Sequence, residues 1–242
     1  MRDLNIAYGN SVSAKTWSNK TITFDELKDK LRTTIRTVES VEEYAKFSRA
    51  KKTVAKDHGG FVGGRLKGGR RKIDTVEMRS MISLDGDALP KGYLDTMDLP
   101  YTAVAYTTHG HTPENPRARF IFPLTRDISA EEYAAVARYL AQMLGIDYFD
   151  ECSYLPNQLM FWPSSPSNGE YLCLEIDKDW LNPDDILSAH PEWTDPTQLP
   201  TSSRETTAKD TAVKKVEDPL DKKGVVGLFN RAYYPVHLAL AE

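Results

Sequence analysis

Apolar positions change period along this chain, and the changes mark its elements. Between 130 and 144, Tyr133, Val136, Ala137, Leu140 and Leu144 recur at helical spacing, which lays one apolar stripe along a helix face. Ser129 and Glu132 stand before it as a capping box, each side chain satisfying a backbone donor that the first helical turn leaves without a partner. Thr23 with Glu26 and Ser40 with Glu43 repeat the pattern and predict two more helix starts. Short apolar or β-branched runs bounded by Gly, Pro, Asp or Asn predict strands at 78–84, 102–107, 119–124, 158–162 and 171–176. These elements mix without a regular strand–helix–strand alternation, so the expected class is α+β with a mixed, largely antiparallel sheet.

The patterned region ends near residue 195. Residues 196–223 are rich in Thr, Ser, Lys, Asp and Pro with almost no periodic apolar content, and they read as a linker. Residues 224–242 turn apolar again but are too few to fold alone, so they read as a short element, either the start of a further module or a small docking element. The expected organisation is therefore a domain at 1–195, a linker and that element. No run of 18 apolar residues occurs and the N-terminus lacks the apolar stretch of a signal peptide, so the expectation is a cytoplasmic chain that meets no membrane. Two cysteines, Cys152 and Cys173, are too few for a disulfide framework or a Cys-based zinc site.

Charge changes this picture only when it is read locally. The chain carries 31 Lys and Arg against 35 Asp and Glu, net −4, which by itself argues against a protein that coats polyanions. From Lys46 to Lys72, however, ten basic residues face the single acid Asp57, a local +9 that leaves −13 elsewhere. Within it, GGFVGGRLKGGRRK interleaves glycines with Arg65, Lys67, Arg70, Arg71 and Lys72. Backbone amides beside guanidinium groups suit a phosphodiester or a triphosphate; the same composition also describes a flexible solvated loop. Neither a Walker A sequence nor a dinucleotide fingerprint is present.

Three further constellations carry candidate chemistry. The 78–84 strand leads into Asp85-Gly86-Asp87, where carboxylates at i and i+2 point to one side and can converge on a hard cation; Asp-Gly is equally a strong turn signal. Thr107-Thr108-His109-Gly110-His111 follows the next strand and offers a hydroxyl and two imidazoles to a phosphate or a metal, or reads as a solvated loop. Arg117 and Arg119 alternate onto one face of the strand after that, where guanidinium forks fit phosphate oxygens. A carboxylate in the segment Gly145-Ile146-Asp147-Tyr148-Phe149-Asp150-Glu151 can complete a three-acid metal site, or reads as surface acid at a helix end.

Taken in order, these motifs resemble the archaeo-eukaryotic primase superfamily, specifically the primase-polymerase domain of phage and mobile-element primase-helicases. Asp85 and Asp87 match its DxD, Thr107-Thr108-His109 is similar to its S-x-H, and Phe149-Asp150 matches its hydrophobic residue followed by Asp. GGFVGG, YTTHGHTPENPRARFIFPL and LMFWPS extend the likeness, which spans about residues 20–185. Thr107 stands where serine is usual, and Gln158 stands where arginine is expected.

The resemblance implies an RRM-like catalytic core with an N-terminal α/β subregion. It implies a DNA primase or polymerase that transfers nucleotides on a single-stranded DNA template, with NTP or dNTP as substrate and a replicative helicase in cis or in trans. Asp85, Asp87 and Asp150 would hold two Mg²⁺ or Mn²⁺ ions about 4 Å apart. His109, Thr107, His111, Arg117 and Arg119 would contact the nucleotide, and Arg65, Lys67, Arg70, Arg71 and Lys72 the DNA. Two other readings remain open. One is an HUH-type replication-initiator nuclease, with His109 and His111 on a metal and Tyr133 or Tyr139 as nucleophile. The other is a single-strand-binding module without catalysis.

Overall fold

The computed structural model describes residues 2–205, nearly all of them in one compact unit, Met1–Thr201. The expected linker beyond residue 205 and the element at 224–242 lie outside the described residues. The strands are β1 (Leu4–Gly9), β2 (Ser18–Ile22), β3 (Ile35–Arg36), β4 (Gly60–Val62), β5 (Gly64–Leu66), β6 (Val76–Gly86), β7 (Ala103–Thr107), β8 (Ala118–Ile128), β9 (Met160–Phe161), β10 (Ser164–Ser165) and β11 (Cys173–Ile176). The helices are α1 (Phe24–Leu31), α2 (Val41–Ala45), α3 (Arg49–Lys56), α4 (Tyr93–Thr96), α5 (Ala130–Leu144) and α6 (Pro183–Ala189).

A five-stranded antiparallel sheet in the order β11-β7-β8-β6-β5 forms the centre. A second antiparallel sheet, β2-β1-β4-β9, is built mostly from the N-terminal region, and β10 pairs with β3 in parallel. The class is α+β with largely antiparallel pairing, as the mixed periodicity predicts.

Because side chains alternate along a strand, β6 and β8 each serve two cores. Ile82, Leu84, Phe120 and Phe122 join Tyr133, Val136, Ala137 and Leu140 of α5 in one apolar cluster. Met81 and Ile121, with Val104 and Tyr106 of β7, meet Leu4, Ile6, Phe61 and Met160 from the second sheet in another. Both faces of the central strands are thus covered, which explains their near-continuous apolar runs.

All three capping boxes form as expected, at Thr23, Ser40 and Ser129. The second helix is brief, and a further N-cap at Ser48 starts α3 inside the basic stretch, an element the capping pattern does not announce. The glycine-rich motif also departs from expectation. Gly59, Gly60, Gly63 and Gly64 are buried and belong to or border β4 and β5. A Cβ on Gly60 would lie 2.4 Å from the Met160 carbonyl oxygen, and one on Gly64 2.1 Å from that of Met78. These glycines let strands approach one another and do not form an open phosphate loop.

Arg79 on β6 is fully buried. Its guanidinium donates to the carbonyls of Gly63 (3.0 Å), Pro156 (2.6 Å) and Met81 (3.1 Å) and to the Ser83 hydroxyl (3.3 Å), and it lies 3.9 Å from the Tyr133 ring centroid. No carboxylate is among these partners; burial holds its pKa below the ordinary arginine value. An unsatisfied buried donor costs about 1–3 kcal/mol, so this charge holds three separate segments together.

Candidate functional site

The cation-rich cleft is assembled from α3 and the β7–β8 connection. Arg49, Lys52 and Lys56 are spaced i, i+3 and i+7, so they share one face of α3. That face meets Arg117, Arg119 and the His109 turn around a cavity of about 590 Å³. Tyr44 of α2 forms part of its wall, with its ring centroid 4.5 Å from that of His109 and 5.5 Å from the Lys52 ammonium.

The cations are close enough to act on one another. Burial lowers the Lys56 pKa, and the charges of Arg119, Arg117 and Arg49 add to the effect while Asp85 opposes it. Burial acts most strongly against the charge of Arg119, but the Asp85 carboxylate and the Tyr106 hydroxyl together outweigh it and leave Arg119 above its ordinary value. Like charges gathered in a half-buried cleft favour a polyanion that would neutralise them.

Arg119 links this cleft to the acidic strand end. It pairs across the ladder with Asp85 on one side and Tyr106 on the other. Its Nε lies 3.5 Å from Asp85 Oδ2, and Nη1 donates to the Phe161 carbonyl at 3.5 Å. The Tyr106 hydroxyl donates to the same carbonyl at 2.9 Å, and burial raises its pKa far above the usual phenol value.

β6 runs through Gly86, so Asp85 lies inside the strand, one residue before its end, and is not the first residue of a turn. The Asp150 amide donates to the Asp85 carbonyl at 2.9 Å, and Gly86 bridges to Phe149, which brings the two acidic segments side by side. Asp150 is half-buried, whereas Asp147 is exposed on the preceding turn. The Asp85 amide donates to Ser153 Oγ (2.8 Å), and the Asp150 carboxylate accepts from the Cys152 amide (2.8 Å). Burial and the neighbouring carboxylates push the Cys152 thiol up to about 11. Asp87 follows Asp85 just beyond the strand. Hard oxygen donors on adjoining segments suit Mg²⁺ or Mn²⁺. Among the described residues, however, no three His, Cys, Asp or Glu side chains are gathered as ligands of one ion. Asp85 leans toward Arg119 and Asp150 caps the turn at Glu151–Tyr154.

The histidine turn is placed differently from its sequence reading. His109 is buried, with Nδ1 2.9 Å from Ser164 Oγ and Nε2 2.9 Å from Glu39 Oε1. Burial lowers its pKa, and the Glu39 carboxylate recovers part of the shift. Both ring nitrogens are engaged by the protein, so His109 anchors the cavity wall. His111 is also buried; its Nδ1 accepts from the Arg117 amide at 3.2 Å, and Nε2 lies 3.5 Å from Glu170. Thr107 does not reach the cavity: its hydroxyl accepts from the Leu172 amide at 3.0 Å, and Thr108 takes the lining position.

The expected DNA-contacting residues differ in their surroundings. Lys67, Arg70 and Lys72 are exposed, and Arg65 pairs with Glu77 at 3.3 Å. Arg71 is held by the carbonyls of Asn157 and Val12, over the Trp17 ring. The nuclease arrangement is not assembled either. Tyr133 is buried on the opposite face of the central sheet, donating to the Ser153 carbonyl, and Tyr139 stacks on His190. Sequence reasoning missed Glu39 and Ser164, and it counted Arg49, Lys52 and Lys56 only within the basic stretch, although their i, i+3, i+7 spacing was a usable signal for a shared face.

A family model described as the VapE N-terminal domain matches residues 1–202. No curated protein matches the chain. Two solved structures are similar to it, each at 12% identity and a TM-score of 0.40. One is the AEP domain of the cyanophage S-2L primase-polymerase, covering 77% of this chain and 87% of that one. The other is the primase RepB', covering 98% and 69%. Among the described residues no helix is long and apolar enough to cross a membrane.

Proposed function

This chain belongs to the VapE N-terminal domain family, and from that premise we propose that it is a template-directed nucleotidyltransferase, a primase or primase-polymerase acting in phage or mobile-element replication. The observation that carries this reading is the convergence of Arg49, Lys52, Lys56, Arg117 and Arg119 on one cavity, with Arg119 also touching Asp85.

The cavity's size and charge suit a nucleoside triphosphate. Its cations would neutralise the phosphates and offset the charge that builds on departing pyrophosphate. Arg119, held between Asp85 and the Phe161 carbonyl, would align the α-phosphate with the strand end. Asp85, Asp87 and Asp150 would hold Mg²⁺ or Mn²⁺, and a bound divalent ion supplies charge stabilisation at the reacting phosphate. Glu39 and Ser164 keep His109 fixed, so the turn carrying Thr108 and Arg117 stays in place.

The test is incorporation of labelled nucleotides on a single-stranded template, with and without a primer, using ribo- and deoxynucleotides in separate reactions. The wild-type chain incorporates, and Asp85→Asn loses at least about 10³-fold in rate while keeping single-strand affinity; removing an ion's contribution of several kcal/mol sets that scale. Full activity in Asp85→Asn overturns the reading. Strand binding with no incorporation under any metal assigns the chain to a binding role instead.

A further inference from the structure

A second cavity of about 630 Å³ lies on the N-terminal sheet and shares no lining residue with the first. Tyr8, Asn10, Ser18, Lys30, His58 and Trp162 are among the residues around it. Tyr8 is 40% exposed although it sits in the middle of a sheet, and β2 exposes Ser18, Asn19, Lys20 and Thr21 in succession. The Lys30 ammonium rests 3.7 Å from the Trp162 ring centroid. No carboxylate lines the cavity, and Lys30 has no ion-pair partner among the described residues.

The two cavities share a ridge. Lys56 lines the first and His58 the second, and Phe161 and Trp162 stand on either side of the same backbone. Trp162 is tied to the ridge through its amide, which donates to the Gly59 carbonyl at 3.0 Å. Anything bound in the second cavity therefore lies next to the polyphosphate cleft.

We propose that this groove takes a single-stranded nucleic acid, the template, with an unpaired base on the Tyr8 ring and the backbone phosphates near Lys30 and Lys20. An exposed aromatic face beside cations and neutral hydrogen-bonding side chains, free of carboxylates, is the chemistry that holds a single strand without reading its sequence. This deepens the template-directed reading and rests on it. It moves the main strand contact away from Arg65–Lys72.

The test is fluorescence anisotropy of a labelled oligothymidylate of about 20 nucleotides, over a series of salt concentrations, with the full chain and two variants. Tyr8→Ala binds about 5- to 20-fold more weakly. Lys30→Glu binds more weakly and flattens the plot of log affinity against log salt by about 0.7 or more. Both keep nucleoside triphosphate affinity within about twofold of wild type, and Tyr8→Phe, which retains the ring, binds the strand like wild type. Photo-cross-linking of a 5-iododeoxyuridine strand to the unmutated chain lands on this groove. Unchanged strand affinity in both Tyr8→Ala and Lys30→Glu, or cross-links confined to 65–72, overturn the proposal. Strand binding here without any nucleotide incorporation would defeat the transferase reading and leave the groove standing. Normal incorporation with unaltered strand binding in both variants would do the reverse.

Discussion

The basic stretch contains two halves of similar composition and different fate. In the first, α3 turns Arg49, Lys52 and Lys56 toward one cavity, where they meet two arginines from β8 and its approach. In the second, Arg65 is spent on Glu77, Arg71 on backbone carbonyls, and Lys67, Arg70 and Lys72 point into solvent around a glycine turn. Net charge is the same kind of quantity in both. What separates them is the helical period, which focuses charges, against a turn, which disperses them.

The strongest way to break this contrast is Arg119→Ala. Arg119 is buried and connects the focused cations to Asp85. Its removal weakens nucleoside triphosphate binding at least about 100-fold, in line with truncating one partner of a buried charge pair. Isothermal titration calorimetry on the purified variant checks this, and an affinity within threefold of wild type would dissolve the distinction.

A smaller effect is expected at Lys52 and Lys56. Lys52→Ala costs about tenfold in the same titration, the scale of one hydrogen bond to a charged group. Lys56 sharpens the comparison through pH. Its folded pKa is depressed by burial and by the neighbouring arginines, so it loses its proton at a lower pH than an ordinary lysine near 10.4. Nucleotide affinity therefore declines as pH rises through that depressed value, and Lys56→Arg, which keeps its charge, moves the decline to higher pH. Identical pH profiles for the two proteins would count against Lys56 as a phosphate contact.

The smallest effect belongs to the dispersed half. Replacing Lys67, Arg70 and Lys72 together by Ala lowers the salt slope of single-strand binding by at most about 2, or about 0.7 for each cation that meets a phosphate. Nucleotide affinity stays within about twofold. A large loss of nucleotide affinity in this triple variant would erase the difference between the halves.

How much of this was legible depends on which physical rule each residue obeys. The three capping boxes and the α5 stripe follow local periodicity, and the structure realises them as read. Asp85 and Asp150 were legible as candidates because each sits at an element boundary in the sequence, although only the long-range bridge from Gly86 to Phe149 brings them together. The glycines misled, because composition cannot distinguish a mobile loop from two strands whose backbones touch. Glu39 and Ser164 were not legible at all. Their role comes from meeting His109 across 70 and 55 residues, and no short-range pattern encodes such a meeting. Thr107 and Thr108 show the same limit at small scale, since strand alternation decided which hydroxyl faces the cavity.

Arg79 carries a consequence for how the site comes into being. Its charge can leave water only when Gly63, Met81 and Pro156 are all in position to receive it. Those carbonyls belong to the β4–β5 junction, the strand that carries Asp85, and the segment that follows Asp150. A partly assembled chain would strand a cation in an apolar interior, so each of the three segments is stabilised by the presence of the other two. The geometry of the floor that carries Asp85 and Asp150 is therefore inherited from a residue that never meets solvent, and a chain lacking it would lose definition at both carboxylates at once.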